Sequence, residues 1–252
     1  MARIFITGSS DGLGLMAAQR LLNDGHKVVA HARNSERADH TRKSLPEAES
    51  VVVGDFAVLA DMHAVVTQAS GHFDAVIHNA GVYNLPSRSV TADGLELTFA
   101  VNVLAPYVLT ATMPKPARLI YLSSGLHRSG SPALDDPQWE KRRFDGMQAY
   151  CDSKLAVAAL AYAGARLYPK VLWSVVEPGW VATKMGGAGA TDDLALGSLT
   201  QAWLAVTDDA AAKRSPSYLF HQKPRDTHNA VTDVAFQEAL LAHCKSVSGA
   251  TL

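Results

Sequence analysis

Residues 3–14 read Arg3-Ile4-Phe5-Ile6-Thr7-Gly8-Ser9-Ser10-Asp11-Gly12-Leu13-Gly14. A short β-branched and aromatic run ends abruptly in glycines, and apolar residues at helical spacing follow over 12–23. The pattern is strand, turn, helix, with glycine allowing a tight turn and a close approach of the backbone. The N–H groups that open such a helix have no intrahelical partner, and the helix dipole puts partial positive charge beside them. The turn is therefore suited to a phosphate or pyrophosphate. Taken alone, its Gly-x-x-x-Gly-x-Gly spacing also fits a plain glycine-rich turn, and it differs from the more widespread Gly-x-Gly-x-x-Gly.

The same alternation continues outward. Strand-like runs fall at 3–6, 27–31, 50–53, 75–78, 118–122, 171–176 and 218–220, separated by helical patterns near 12–23, 35–44, 58–70, 92–113, 149–168, 192–206 and 230–245. Apolar strands without polar alternation, separated by helices, predict a parallel sheet covered on both faces. Right-handed crossovers then make it doubly wound. The expectation is an α/β, Rossmann-like sheet of about seven strands with helices on both faces. No composition break or repeat divides it, so residues 1–252 read as a single domain. Segments near 125–148 and 184–215, with the glycine-rich 184–191 reading as mobile, are expected to form substrate loops.

Composition sets the outer bounds. The chain has 252 residues, 48% of them hydrophobic and 19% charged, an ordinary globular balance. A net charge of −1 gives no basic field for nucleic acid or an anionic membrane. Cys151 and Cys244 form no disulfide framework, and none of the ten histidines has metal-ligand spacing, so no metal site is expected. No apolar run has the length of a secretory signal or a membrane span, and the expected location is the cytoplasm.

Further motifs follow in order. Asp55 and Phe56 come after the third strand, Asn79-Ala80-Gly81 after the fourth, and Asn102 lies in the helix beyond. Ser123-Ser124 follows the fifth strand, Tyr150-x-x-x-Lys154 opens a helix, and Pro178-Gly179-x-x-x-Thr183 follows the sixth. Each sits at or just beyond the C-terminal end of a strand, where doubly wound sheets bind ligands. With Thr7-Gly8-x-x-x-Gly12-x-Gly14, this ordered set over residues 4–183 resembles the short-chain dehydrogenase/reductase family. The long interval from Ser124 to Tyr150 resembles the branch of retinol and carbonyl reductases, which makes 125–149 an insertion bordering the pocket. The interval from Asn102 to Ser123 is short for the family, with Pro114 and Pro116 ending the helix early.

The resemblance implies an enzyme that interconverts a carbonyl and an alcohol on a small-molecule substrate by hydride transfer with a nicotinamide cofactor. Gly8, Ser10, Asp11, Gly12, Leu13 and Gly14 would hold the pyrophosphate end. Asp55 would meet the adenine amino group with Phe56 beside it, although either is also placed to cap the next helix. Asn79, Ala80 and Gly81, with Pro178, Gly179, Val181 and Thr183, would line the cofactor's path. The second strand ends Ala30-His31-Ala32-Arg33-Asn34, with no carboxylate for a ribose 2′-OH. Arg33 is suited instead to a 2′-phosphate, the other reading being a solvated loop arginine, so NADP(H) is favoured over NAD(H).

Tyr150 and Lys154 are four apart on a helix and share a face. By the resemblance Tyr150 is the acid/base, and Lys154 lowers its pKa and holds the nicotinamide ribose. Ser124 would bind the substrate oxygen, and Asn102 would hold a water leading from Lys154 to solvent. Strand alternation turns only one serine of the pair toward the site, and the resemblance favours Ser124. Two other readings keep the cofactor: an NADP(H)-binding regulatory protein without turnover, and non-redox elimination or epimerisation. The intact Ser124, Tyr150 and Lys154 set speaks against the first.

Tyr83, His127, Trp139, Trp180 and Met185 fall in loops at the ligand end, where packing is the commoner role for each. The cluster Glu140–Arg143 reads as a solvated face. The helix over 149–168 is apolar almost all round and is expected to be covered on both sides. The resemblance makes a partner subunit one cover, giving a homo-oligomer; the insertion is the other, leaving a monomer.

Overall fold

A computed structural model describes residues 1–252. The sheet is built from β1 (Arg3–Ile6), β2 (Lys27–Ala32), β3 (Ser50–Val53), β4 (Ala75–His78), β5 (Arg118–Leu122), β6 (Leu172–Glu177), β7 (Ser217–Phe220) and β8 (Lys223–Pro224). Their order is β3-β2-β1-β4-β5-β6-β7-β8. The first seven are parallel throughout, as expected. The eighth is an addition: Lys223 and Pro224 pair antiparallel with β7 across His221 and Gln222, both at positive φ, the backbone a two-residue hairpin turn requires.

Each interior strand feeds both layers. Phe5 points into a core shared with α3 (Leu59–Gln68), α5 (Ala105–Thr112), α6 (Gly146–Leu167) and α8 (Val234–Ser248). Ile4 and Ile6 point into a second core against α1 (Gly12–Asn23) and α7 (Leu194–Val206). The period of two in a strand makes this division. A helix, α2 (Ser35–Ser44), follows β2. The order reverses between β1 and β4, so the ends of these strands splay apart and leave a crevice.

Three expectations are refined. The helix expected from 92 begins at α4 (Leu97–Phe99), because Thr91 to Leu95 is a turn with Gly94 at φ 79. Glu96 caps the helix, accepting the N–H groups of Thr98 and Phe99 at 2.9 and 2.8 Å. It continues through a π-helical turn over Ala100–Leu104 into α5. Second, α7 forms the helix expected near 192–206 and packs on α1, so the substrate loops expected over 184–215 are confined to its two flanks. Third, the charged cluster, exposed as expected, is also tied down along its backbone. The Asp136 carboxylate accepts three successive N–H groups, from Glu140, Lys141 and Arg142. The Arg142 guanidinium then lies 3.5 Å from the centre of the Trp139 ring and pairs with Asp152 on α6 at 3.1 Å.

The apolar helix α6 is covered on both sides by the chain itself. One side packs on β5 and β6, where Gly164 leaves room for Trp173: a Cβ there would sit 2.2 Å from the ring. The other carries α8 and the 3-10 turn Gly125–Ser129. No helix is long and apolar enough to cross a membrane.

Candidate active site

The crevice at the C-terminal ends of β1, β2 and β4 is a cleft of about 530 Å³. Of the residues expected to meet a cofactor, it brings together Gly8, Ser10, Asp11, Gly12, Leu13, Arg33, Asp55, Phe56, Asn79, Ala80, Gly81 and Thr183. Gly14 lies beneath its wall. A Cβ at Gly14 would come within 2.4 Å of both the Asn79 side chain and the Gly8 carbonyl, so the turn and β4 meet only because the side chain is absent. Gly8 is held at φ 64 against Ala80. Asn79 donates to the carbonyls of Thr7 and Gly8, both at 3.0 Å, and Thr7 Oγ1 accepts from the N–H groups of Asn79 and Ala80. These bonds fix the open end of the crevice.

His31, a core strand residue by its sequence, underlies this turn. Its Nδ1 accepts from Gly8 N–H at 3.0 Å, so Nε2 carries the proton and donates to Gly54 at 2.9 Å. Burial holds its pKa down to about 4, and its neutral ring stacks on Phe56 at 4.3 Å. Asp55 accepts from Ala57 N–H at 2.9 Å, the local turn bond, while still lining the cleft.

The cationic wall is wider than expected. Arg33 is exposed at the rim. Arg37, in the first turn of α2, reaches further in: Nε donates to Ser10 Oγ at 3.1 Å and a terminal nitrogen lies 3.4 Å from Asp11 Oδ2. Lys184 pairs with the same oxygen at 2.6 Å. That contact first, with the Gly12 N–H and Arg37, holds the Asp11 carboxyl below its usual range despite some burial. The signal for Arg37 lay in Asn34, whose side chain accepts Arg37 N–H and starts α2 there.

Beyond Gly81 the cleft meets a second constellation. A Cβ at Gly81 would lie 3.5 Å from Lys154 Nζ and 3.2 Å from Asn102 Oδ1. Asn102 sits in the π-helical turn, with its side chain accepting from Val82 N–H at 2.8 Å and donating to Val82 O and Ser153 Oγ. Its side chain is thus committed to protein groups. Lys154 is buried, donates to Leu122 O at 2.9 Å, and lies 5.5 Å from the centre of the Tyr150 ring. The two serines divide: Ser123 Oγ donates to Lys154 O at 2.9 Å, whereas Ser124 faces the Tyr150 phenol.

The expected lowering of the Tyr150 pKa does not prevail within the chain. Burial pushes the phenol up to about 12, with Ser124 opposing, while the Lys154 ammonium donates to Leu122 O. Burial also pulls Lys154 down to about 8.

Pro178, Gly179 and Val181 lie outside the cleft lining. Gly179, at φ 89, faces Asp192, and Val181 is buried beneath Gly197. Of the loop residues, Tyr83 packs edge-on against Tyr150 at 4.7 Å, and Met185 lines the cleft. Trp180 is exposed, while Trp139 and His127 are buried.

Comparison with known proteins bears on the family and the fold. The family described as short chain dehydrogenase matches residues 2–133. An uncharacterized oxidoreductase of Emericella nidulans is 42% identical over 99% of this chain and 98% of its own length. An uncharacterized protein from Mycobacterium paratuberculosis superposes with a TM-score of 0.85 at 23% identity, covering 100% of this chain and 94% of that one. NADPH-bound carbonyl reductase from chicken fatty liver superposes with a TM-score of 0.67 at 20% identity, covering 90% and 99%.

Proposed function

Because the chain belongs to the short-chain dehydrogenase family, whose members act on CH–OH and C=O groups, we propose that it is an NADP(H)-dependent carbonyl reductase. In this reading Tyr150 is the acid/base. The observation that carries it is the convergence of Ser124, Tyr150 and Lys154 directly behind Gly81, which lines the cleft.

The residues present fit a dinucleotide phosphate. The first turn of α1 opens into the cleft, Gly14 admits no side chain, and Arg33, Arg37 and Lys184 gather at the rim. A 2′-phosphate would draw on the arginines, whose planar forks suit phosphate oxygens. The carbonyl reductase that shares the fold binds NADPH, which supports the same choice. When bound, the nicotinamide supplies the hydride or, in the reverse direction, accepts it.

The chain's own groups manage the oxygen and the proton. Ser124 Oγ already accepts the Leu126 N–H at 3.2 Å, leaving its hydroxyl proton to donate to a substrate oxygen. Tyr150 Oη delivers the proton to that oxygen; burial keeps the phenol protonated at neutral pH but makes it a weaker acid, so the Lys154 charge has to offset the raised pKa for the transfer. Lys154 holds the positive charge that stabilises the phenolate left behind. In the family picture Asn102 would hold a water beyond Lys154, and since its side chain is engaged, the backbone carbonyl of the π-helical turn is the group left for that role. The loops near 125–148, with Tyr83 and Met185, would border the substrate.

The test is NADPH absorbance with a panel of ketones, aldehydes and quinones. Oxidation that Tyr150→Phe abolishes supports the reading. Binding of NADPH without turnover across the panel overturns it.

A further inference from the structure

The carbonyl of Ser124 is held from several sides. It accepts from His127 N–H at 3.0 Å, from His127 Nδ1 at 2.7 Å and from the Tyr218 hydroxyl at 3.0 Å. The tautomer follows from the other ring nitrogen, because Nε2 accepts His228 N–H at 3.2 Å and Nδ1 must carry the proton. Tyr218 Oη also lies 3.0 Å from His127 Nδ1 and 3.3 Å from Glu177 Oε2.

Glu177 is the last residue of β6 and is 6% exposed. Its Oε1 accepts from Arg225 at 2.6 Å, and its Oε2 lies 3.5 Å from Arg128. Arg128 in turn donates to Asp226 O at 2.7 Å. The carboxylate lies against the residue after the serine: a Cβ at Gly125 would come within 2.7 Å of Oε1.

A buried carboxylate paired with two half-exposed arginines is a poor choice for packing alone, since it loses its own hydration and an apolar residue of similar volume commonly stabilises as well or better. Its cost is explained if it orients a group. Resting on the reading of the site above, we propose that Glu177, Tyr218 and His127 are positioning residues for Ser124. They fix the peptide that leaves Ser124, and with it the direction of the Ser124 hydroxyl toward the Tyr150 phenol. None touches the reacting atoms; each acts through the serine.

The experiment is a double-mutant cycle on NADPH-dependent carbonyl reduction in the full chain, with Tyr218→Phe, Ser124→Ala and their combination, read by single turnover. Tyr218→Phe is expected to lower kcat about tenfold to hundredfold, as a misdirected catalytic group does. KM, NADPH affinity by fluorescence and Tm should stay near wild type. In the Ser124→Ala background the same change should cost nothing further, because residues acting through one group are not additive. If Tyr218→Phe does not fold, Glu177→Gln, which keeps the shape and removes the charge, enters the same cycle. An equal loss with and without Ser124, or a loss that only tracks a fall in Tm, overturns the proposal. So does unchanged kcat in a variant of a wild type that turns over, and this outcome leaves the reading of the site intact. A wild type inert across the carbonyl panel overturns that reading and the proposal together.

Discussion

Lys154 Nζ lies 5.5 Å from the centre of the Tyr150 ring yet donates its hydrogen bond to Leu122 O at 2.9 Å. The ammonium is near enough to act on the phenol by charge but is anchored to the strand. Burial therefore dominates both groups, holding the phenol near 12 and the amine near 8. Both shifts favour the neutral forms, as a site shielded from water requires.

Removing the phenol hydroxyl separates chemistry from binding. Tyr150→Phe is expected to lower turnover about a hundredfold or more, within the range for a lost general acid. NADPH affinity should change little, since the ring remains against Tyr83. Steady-state absorbance and fluorescence titration measure the two. Residual turnover near wild type would exclude Tyr150 as the proton donor.

Lys154 makes a stability prediction with a definite sign. Its folded pKa of about 8 lies below the ordinary 10.5. The unfolded chain therefore binds more protons between these values, and stability rises with pH there. Below about 8 the folded chain bears the cost of a buried ammonium. Lys154→Met should raise Tm by about 5 °C at pH 7, taking a large protein's response per kcal/mol, and the gain should shrink as pH rises toward 10.5. Melting curves of both proteins across pH 7 to 10 give the comparison. A gain of constant size would mean that packing, not charge, sets it.

What the sequence disclosed depended on how local each signal was. The turn at Gly8 to Gly14 and the spacing of Tyr150 and Lys154 are written in consecutive residues, and both stand where expected. Arg37 was hidden because its place in the site comes from the Asn34 cap and the packing of α2, not from a motif. His31 reads as a core strand residue, and its bond to Gly8 exists only once β1 and β2 are in register. The helix after β4 starts later than its spacing suggests because apolar spacing continues upstream through a Gly94 turn. The fold of 125–148 rests on one carboxylate, Asp136, gathering three N–H groups, which no periodicity announces.

Gly14 offers a steric test of the cleft. Gly14→Ala would drive a Cβ into the Gly8 carbonyl and the Asn79 side chain. A cost of about 1–3 kcal/mol is expected from such overpacking. NADPH affinity should fall with it, because the same atoms form the open end of the crevice. Urea unfolding and fluorescence titration report the two effects. Wild-type values in both would show that the turn is not held by this contact.

Cofactor choice should depend on two arginines. Arg33→Ala should weaken NADPH by about tenfold, the scale of one charge-assisted hydrogen bond, Arg37→Ala by more, and both should leave NADH almost unchanged. Arg37 is expected to matter more, since it already reaches Ser10 while Arg33 stands at the exposed rim. Paired titrations with the two cofactors decide it. Equal losses for NADPH and NADH would remove the case for a 2′-phosphate contact.

The C-terminal helix α8 covers an apolar face of α6 from within the chain. Phe236, Leu240 and Cys244 join the core shared with α5 and α6, and Tyr107 of α5 donates to Ala250 O at 2.9 Å. With that cover in place, the full chain should sediment at the mass of one chain. A version ending at residue 232 would expose the α6 surface beneath α8, and a contiguous apolar patch of that kind drives association. Sedimentation velocity should therefore find the shortened chain dimeric or larger at concentrations where the full chain is not. A full-length chain that sediments as a stable oligomer would mean that contact between subunits uses another surface, and that α8 does not replace a partner.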